Sequence, residues 1–357
     1  APRSAPAVKA SAVPPAPTTS PLSAVHVRHT LLGAEVSAPH GVRAWESSID
    51  LTDHTYLADH QVQGVVVFPG TGYVELAAAA AREVLGDVPV AIGEVTYHEA
   101  IFLDPSQPTS IRTTLDTIGP RLQLRVHSRA GDDGPWTLNG EAVIDRTAPT
   151  LPAQTADVAA LQARCSRHQD AEEFYARHAA RGNQWIGSFR GVREVWVGRD
   201  EALAALSAPP GLLATFDHHR FHPALLDAAA HKLVAARPDV VAGEDGAFVL
   251  GGIDRVLLYR RPSTDLWSHA VLRPEARADS FTGDIRIFDT AGALVVELLG
   301  LRLQYLLGAA PAPLTAPAAQ PVEPRRSLHE SATHDDWLHD LAWIPVTRSV
   351  TTGTPAS

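Results

Sequence analysis

A single histidine, His60, stands at the start of an apolar stretch, in ADHQVQGVVVFPGTGYVELAAAAA at residues 58–81. Its spacing is His60-x-x-x-Gly64-x-x-x-x-Pro69-Gly70. A glycine permits close backbone approach, and Pro-Gly favours a turn that leads into a helix. The start of that helix presents unpaired N–H groups, which stabilise a carbonyl oxygen that gains negative charge. The stretch therefore predicts a general base beside an oxyanion site, with an ordinary hydrogen-bonded histidine and plain turn chemistry as the alternative.

A carboxylate, Asp227, occupies FHPALLDAAAHKL, inside a helix that we predict to begin near Pro223. Apolar neighbours such as Leu226 would desolvate the carboxylate, and desolvation raises a carboxyl pKa. A carboxyl that stays protonated near neutrality can donate a proton to a leaving group. His231 follows one helical turn later on the same face, so it can hydrogen-bond Asp227. A solvated helix face is the alternative.

Other reactive sites have weaker support in the sequence. Four histidines lie close together, but the helix start predicted at Pro223 separates them, and neither HExxH nor a cysteine partner accompanies them. We therefore expect no metal site. No G-x-S-x-G motif is present, and GTGYVE places Glu75 where a dinucleotide-binding loop needs its third glycine. The four histidines are His218, His219, His222 and His231.

The composition limits the class of protein. The 357 residues are 45% hydrophobic, which is ordinary for a globular protein, and the net charge of −10 argues against a nucleic-acid partner. No uninterrupted apolar run reaches the roughly 18 residues of a membrane span. The lone cysteine, Cys165, excludes an internal disulfide and fits a reducing, cytoplasmic location. The sequence contains no methionine, so we expect a domain of a longer chain.

Two halves of the chain share one plan. In each half a helical pattern, YVELAAAAAREVL or ALLDAAAHKLVAA, precedes several β-like runs without βαβ alternation. The first helix also follows a strand-like run, VQGVVVF. This plan predicts an α+β fold in which an antiparallel sheet wraps around one long helix, twice. The turn sequences RAGDDGPW and DTAGA fit hairpins between such strands.

Stretches rich in alanine and proline set the predicted boundaries. We expect a first unit with His60 and a second unit with Asp227, separated by a linker and flanked by two further linkers. The predicted ranges are an inter-domain linker at 1–22, the first unit at 23–147, a linker at 148–168, the second unit at 169–307, and a proline-rich linker with the start of a following region at 308–357.

The motif around His60 and the Asp227-x-x-x-His231 motif, one in each half, together resemble the dehydratase domains of modular polyketide synthases. RHTLLGAEV at 29–37 is similar to the opening segment of that family, and HPALLDAAAH is similar to its second motif. The resemblance covers roughly residues 24–307. It implies a double-hotdog fold, with two six- or seven-stranded antiparallel sheets that each wrap around a long central helix.

The resemblance also implies a reaction, the elimination of water from a 3-hydroxyacyl thioester on the phosphopantetheine arm of an acyl carrier protein. His60 would remove the α-proton, and Asp227, oriented by His231, would protonate the departing β-hydroxyl. No bound cofactor is implied. The partners would be the carrier protein and neighbouring synthase domains, within a homodimer. The residues expected to support the oxyanion are Gly64, Pro69 and Gly70.

One segment departs from the family pattern Gly-x-x-Tyr-Gly-Pro-x-Phe. Here residues 182–189 read GNQWIGSF, so Trp185 replaces the tyrosine, Ile186 the glycine and Gly187 the proline. We expect an altered cavity, with the Val-Phe run after His60 as the wall of a dry acyl tunnel. The predicted pocket residues are Val67, Phe68, Trp185, Ile186, Gly187, Phe189 and Leu226.

The altered segment leaves other functions open. A dehydratase-cyclase would add a distal hydroxyl to the new double bond and form a cyclic ether. An isomerase would only shift a double bond, and the retained Asp227 argues against it because no hydroxyl leaves. A non-catalytic scaffold domain is disfavoured by the intact pair of His60 and Asp227.

Overall fold

The computed structural model describes residues 29–131, 134–152, 155–237, 246–274 and 280–306. They fall within one compact unit, residues 1–311. The linkers predicted at 1–22 and 308–357 lie outside the described residues.

The first half of the chain contains eight strands and one long helix. These elements are β1 (Ala34–Val36), β2 (Val42–Ile49), β3 (His60–Val62), β4 (Val65–Val66), α1 (Gly70–Leu85), β5 (Val90–Tyr97), β6 (Thr109–Ile118), β7 (Arg121–Ala130) and β8 (Thr137–Asp145). A short 3₁₀ helix, Thr55–Asp59, leads into β3.

The second half begins with a short helix inside the predicted linker at 148–168. Its elements are α2 (Val158–Arg164), β9 (Arg167–Asp170), α3 (Ala171–Ala179), β10 (Asn183–Trp185), β11 (Val192–Val197), β12 (Glu201–Ser207), α4 (Pro223–His231), β13 (Phe248–Leu258), β14 (Asp265–Leu272), β15 (Ser280–Asp289) and β16 (Leu294–Tyr305). Three further 3₁₀ helices are Gly187–Phe189, Pro210–Leu212 and Phe216–His218.

One 13-stranded antiparallel sheet contains strands of both halves, in the order β1-β2-β6-β7-β8-β5-β13-β16-β15-β14-β12-β11-β9. The first six strands in this order come from the first half and the remaining seven from the second. The halves join where β5 pairs with β13, with Val95 opposite Ile253. The hairpins predicted at RAGDDGPW and DTAGA connect β7 to β8 and β15 to β16. The prediction of antiparallel strands around a helix in each half is therefore confirmed.

Helix α1 is buried along most of its length. Every residue from 71 to 81 is buried, and the helix contacts β5, β8 and β13. Alanine has the highest helix propensity, and its small side chain lets the sheet approach the helix axis closely. The helix ends at Gly86, whose φ of 83° lies in the left-handed region that favours glycine.

Helix α4 is shorter than predicted: it ends at His231, whereas the sequence pattern predicted an end near residue 236. The Leu233 N–H donates to Ala230 O, three residues back, instead of continuing the α-helical pattern. The fully buried Lys232 turns inward, and its Nζ donates to Ala229 O at 2.7 Å and also bonds Ser268. Burial moves the pKa of Lys232 well below its ordinary value. The Lys232 side chain thus donates to the Ala229 carbonyl, which would have accepted from the Leu233 N–H if the helix had continued.

The run VQGVVVF is a hairpin rather than one strand. Val62 pairs with Val65, so Gln63 and Gly64 form a two-residue turn with φ values of 52° and 82°. Two consecutive positive φ angles suit the tight turns that match strand twist. With β10, this hairpin forms a separate three-stranded sheet in the order β10-β3-β4.

Among the described ranges, none of the helices combines the length and the apolar character that crossing a membrane requires.

Candidate active site

His60 is the first residue of β3 and is held by the hairpin itself. Its Nδ1 bonds Val67 O at 2.7 Å, and the Val67 N–H donates back to His60 O at 3.1 Å. A carbonyl oxygen only accepts, so Nδ1 must have the proton and Nε2 retains a free lone pair. The Phe189 ring lies 4.9 Å from the imidazole, and the His60 side chain is buried. The hairpin therefore fixes the tautomer in which Nε2, rather than Nδ1, can act as a base.

Asp227 of α4 faces His60 across the contact between the two halves. The His60 Nε2 and Asp227 Oδ2 atoms are 3.7 Å apart, and both residues are buried. These residues are 167 positions apart in the chain, since one is in β3 and the other in α4. Tertiary structure thus brings together the two residues that the sequence motifs singled out.

His231 lies one turn after Asp227, and its Nε2 makes a short hydrogen bond with Asp227 Oδ2. Its other ring nitrogen, Nδ1, is buried without a partner in the described part of the chain. The Trp185 ring stacks on His231, with centroids 3.4 Å apart and planes 14° from parallel. This stack fixes the plane of the ring that faces Asp227.

The pKa of Asp227 differs from the sequence-based expectation. Burial raises it, but the attraction and hydrogen bond of His231, the electrostatic interaction with His60 and the hydroxyl of Thr71 outweigh burial. The pKa of the carboxyl therefore lies below its ordinary value, and the prediction of a raised pKa is wrong. Burial, the largest influence on His231, lowers the pKa of that imidazole. The two groups compete for one proton across their short hydrogen bond.

The amide of Gly64 is already engaged, which changes its expected role. Its N–H donates to the side-chain Oε1 of Gln184 at 3.0 Å. The glycine therefore serves the hairpin turn, and the bond ties that turn to β10.

Pro69 is the N-cap of α1, and Gly70 is its first residue. A Cβ on Gly70 would lie 2.8 Å from Leu250 Cδ2, so a larger residue here would have to displace the Leu250 side chain. The Gly70 carbonyl accepts from Tyr97 Oη at 3.0 Å. The Gly72 N–H donates to Pro69 O at 2.8 Å, whereas the N–H groups of Gly70 and Thr71 have no preceding helical carbonyl. These two N–H groups are the candidate oxyanion donors at the start of α1.

The segment at 182–189, whose sequence differs from the family pattern, has some residues in the site and others at the surface. Trp185 reaches His231 and Phe189 reaches His60, whereas the Ile186 side chain is 46% exposed. Gly187 has a φ of 43°, and a Cβ there would lie 2.5 Å from Asp59 Oδ2. The Asp59 carboxylate instead accepts from the Ser188 N–H at 2.7 Å. Glycine at this position is a packing and backbone requirement.

The remaining predicted pocket residues have structural contacts. Phe68 is buried against Tyr73, with ring centroids 5.5 Å apart, so its side chain belongs to the core around α1. Val67 contributes its carbonyl to His60, and Leu226 is fully buried beside Asp227 in α4. Residues that sequence analysis missed are Asp59, Thr71 and Gln184. Thr71 alone had a local signal, as a hydroxyl directly after Pro69-Gly70.

Two of the histidines before α4, His219 and His222, lie in a buried aromatic cluster, whereas His218 is exposed. His219 and His222 lie 4.4 Å apart by ring centroid, and Tyr56 lies 4.8 Å from His222. Burial lowers the pKa of His219 to about 4 and that of His222 to about 2. Within the described ranges, no group of three or more His, Cys, Asp and Glu side chains is placed to hold a metal ion.

Two family models match the chain. The model described as the polyketide synthase dehydratase N-terminal domain matches residues 153–313, and the one described as the polyketide synthase dehydratase domain matches residues 29–129. Together they cover more than half of the chain.

Curated relatives are much longer proteins. Polyketide synthase GfsA of Streptomyces halstedii is 34% identical over 218 residues, which are 57% of this chain and 3% of that protein. A mycocerosic acid synthase-like polyketide synthase of Mycobacterium tuberculosis is 29% identical over 286 residues, which are 77% of this chain and 13% of that protein. The chain thus spans a small part of these relatives.

Solved structures match over almost their full length. The dehydratase domain from the CurK module of curacin polyketide synthase superposes with a TM-score of 0.72 at 28% identity, covering 78% of this chain and 99% of that one. The dehydratase domain of a mycocerosic acid synthase-like synthase gives a TM-score of 0.70 at 26% identity, covering 78% and 97%.

Proposed function

Because this chain belongs to the dehydratase domains of polyketide synthases, which are hydro-lyases with a double-hotdog fold, we propose that His60 and Asp227 perform its dehydration. The substrate we propose is a 3-hydroxyacyl thioester on the phosphopantetheine arm of an acyl carrier protein. The observation that carries the assignment is the 3.7 Å separation between the buried His60 Nε2 and Asp227 Oδ2. A base and an acid at this separation can reach a proton and a hydroxyl on adjacent carbons of one substrate.

In the first step His60 acts as the base. Its Nδ1–H is held by Val67 O, so the Nε2 lone pair accepts the α-proton of the thioester. The C–H electron pair moves towards the carbonyl, whose oxygen gains negative charge. The N–H groups of Gly70 and Thr71, at the start of α1 directly after Pro69, would stabilise that oxygen.

In the second step the acid is the Asp227–His231 pair rather than an isolated carboxyl. The enolate electron pair returns to form the Cα–Cβ double bond, and the C–O bond to the β-carbon breaks. The departing hydroxyl takes a proton from Asp227 and leaves as water. The short hydrogen bond to His231 supplies a second position for that proton. Sharing the proton in this way offsets the lowered pKa of the carboxyl.

The elimination transfers protons and no net electrons, so the proposal includes no cofactor apart from the phosphopantetheine arm. The proposed partners are an acyl carrier protein, neighbouring synthase domains and a second copy of the chain. The cyclase, isomerase and scaffold alternatives are not favoured, because the family's reaction is dehydration.

The direct test incubates the protein with both 3-hydroxy epimers of a short acyl thioester on a carrier protein and follows intact mass. We expect one epimer to lose one water. Failure of both epimers, together with failure of longer and α-branched acyl chains, would contradict the proposal. A substrate with a distal hydroxyl, whose product is tested for its alkene, would reveal a cyclase.

Trp185 gives a more local prediction. Trp185→Ala removes the stack on His231, and we expect turnover to fall by about tenfold, since aromatic stacking contributes about 0.5–1.5 kcal/mol beyond area burial. Trp185→Phe retains a ring and should stay within about threefold of the parent protein. The measurement is the single-turnover rate of water loss.

The matched control for this series is Trp196→Ala, which removes a half-buried tryptophan that packs on Trp267 instead. Equal rates for the Ala and Phe variants of Trp185 would show that stacking does not position His231.

A further inference from the structure

The first turn of α1 also places a side chain, that of Thr71, against the acid Asp227. Thr71 is buried with 1% exposure, and its Oγ1 lies 3.0 Å from Pro223 O and 3.5 Å from Asp227 Oδ1. Both acceptors belong to α4, and the contact therefore crosses between the halves. His231 bonds the other carboxylate oxygen, Oδ2. Thr71 is thus the described residue that donates to Oδ1.

A hydroxyl has one hydrogen, so Thr71 can make only one of these bonds at full strength. While Asp227 is protonated, its Oδ1 is a weak acceptor, and the hydrogen points to the nearer Pro223 carbonyl. Once Asp227 has given up its proton, Oδ1 has negative charge and becomes the better acceptor. Rotation of the hydroxyl alone then moves the hydrogen from Pro223 O to Oδ1.

We propose that Thr71 is a positioning residue that stabilises the carboxylate form of Asp227 by this hydroxyl rotation as the proton leaves. The inference rests on the proposed role of Asp227 as the acid. It assigns Thr71 to the transition state rather than to substrate binding. Removing the hydroxyl should therefore lower kcat and leave KM nearly unchanged.

The frame around Thr71 keeps this geometry fixed. Glu75, one helical turn later on the same face of α1, accepts from the N–H groups of Arg220 and Phe221 at 2.7 and 2.9 Å. It also bonds His29 Nε2 at 2.8 Å. Glu75 thereby holds the segment just before α4, and Thr71 holds Pro223, the first residue of α4. Loss of the Thr71 hydroxyl alone leaves the Glu75 contacts in place.

Several titratable groups also face Asp227. His60 of β3 and His231 of α4 lower its pKa, while Tyr97 of β5 and Tyr175 of α3 are neighbours whose own pKa values are raised by burial first and by Asp227 in addition. None of these residues changes in a Thr71 variant. A shift in the titration of Asp227 would therefore report on the hydroxyl.

The kinetic test compares Thr71→Val, which keeps the shape and loses the hydroxyl, with Thr71→Ser, which keeps the hydroxyl. A hydrogen bond to a charged group contributes about 1.5–3 kcal/mol, so we expect Thr71→Val to lower kcat by about 10–100-fold. Thr71→Ser should stay within about threefold of the parent protein. Thr215→Val is the control, because it removes a threonine hydroxyl that bonds Leu212 O instead of Asp227.

The pH profile separates this role from a structural one. Without the Thr71 hydroxyl the carboxylate is less stable, so the pKa of the acid rises. The alkaline limb of the kcat profile should then move to higher pH by about one unit in Thr71→Val, since one pKa unit corresponds to about 1.4 kcal/mol. A folded Thr71→Val with an unshifted limb would overturn the proposal, as would a Thr71→Ser that resembles Thr71→Val.

A measurement without substrate distinguishes failure of this inference from failure of the proposed function. Carboxyl ¹³C NMR can follow the Asp227 resonance, identified by its absence in Asp227→Asn. We expect its titration in Thr71→Val to move to higher pH, whether or not the chosen thioester reacts. An unchanged titration would refute the role of Thr71 and leave the assignment of the dehydratase intact.

Discussion

His60→Gln and Asp227→Asn are each expected to lower the rate of water loss by about 10²–10⁴-fold, the usual contribution of a positioned base or acid. Gln can still donate to Val67 O, but its amide cannot accept the α-proton. Asn matches the shape of Asp227 and has no proton to give to the hydroxyl. The single-turnover assay with the reactive epimer measures both variants. His98→Ala, which removes a half-buried histidine that bonds Glu141, is the control.

Exchange of the α-hydrogen with deuterated water assigns the two roles separately. Asp227→Asn should still exchange it, because His60 remains a base even when the hydroxyl cannot leave. His60→Gln should lose both exchange and elimination. If Asp227→Asn abolished exchange and His60→Gln retained it, the assignment of base and acid would have to be reversed.

The second prediction with a large effect is that the free energy of unfolding falls in mild acid. Burial lowers the pKa of His178, His219 and His222 to about 3, 4 and 2, from an ordinary value of 6.5. Below pH 6.5 the unfolded chain binds protons that the folded histidines do not. The folded protein therefore loses stability as the pH falls, by about 1.4 kcal/mol per pH unit for each histidine until its folded pKa is reached.

For the three histidines together, the free energy of unfolding at pH 5 should be on the order of 5 kcal/mol lower than at pH 7. Urea unfolding at pH 7, 6 and 5 measures this slope. His222→Asn should reduce the slope by about one third, because asparagine keeps an acceptor for the Ala224 N–H at the start of α4 and does not titrate. If His222→Asn and His98→Asn changed the pH dependence of the unfolding free energy equally, the loss of stability in acid could not be assigned to the buried histidines.

Local sequence features predicted many of the elements. Alanine-rich periodicity marked α1, and alternation marked β6, β7 and β8. Glycine-containing turns marked the β7–β8 and β15–β16 hairpins. Such signals depend on residues that are near in sequence. The motifs singled out His60 and Asp227, the two side chains that we propose to react. The sequence also predicted that Trp185 and Phe189 approach the site, although it treated Ile186 as an equal member of the pocket.

Other features were decided only by contacts between distant residues. The break of VQGVVVF into β3 and β4, the occupied amide of Gly64 and the inward turn of Lys232 depend on partners far along the chain. So does the joining of the halves through β5 and β13.

The pKa of Asp227 shows the difference most directly. Burial among its apolar helix neighbours raises the pKa, and His231, one helical turn away, lowers it; both influences are visible in the sequence. His60 and Thr71, which lower the pKa further, arrive from the other half of the chain. The sequence alone determined which residues could do the chemistry. The tertiary structure decided their protonation, because electrostatic and hydrogen-bond energies depend on distances across the fold that no local spacing sets.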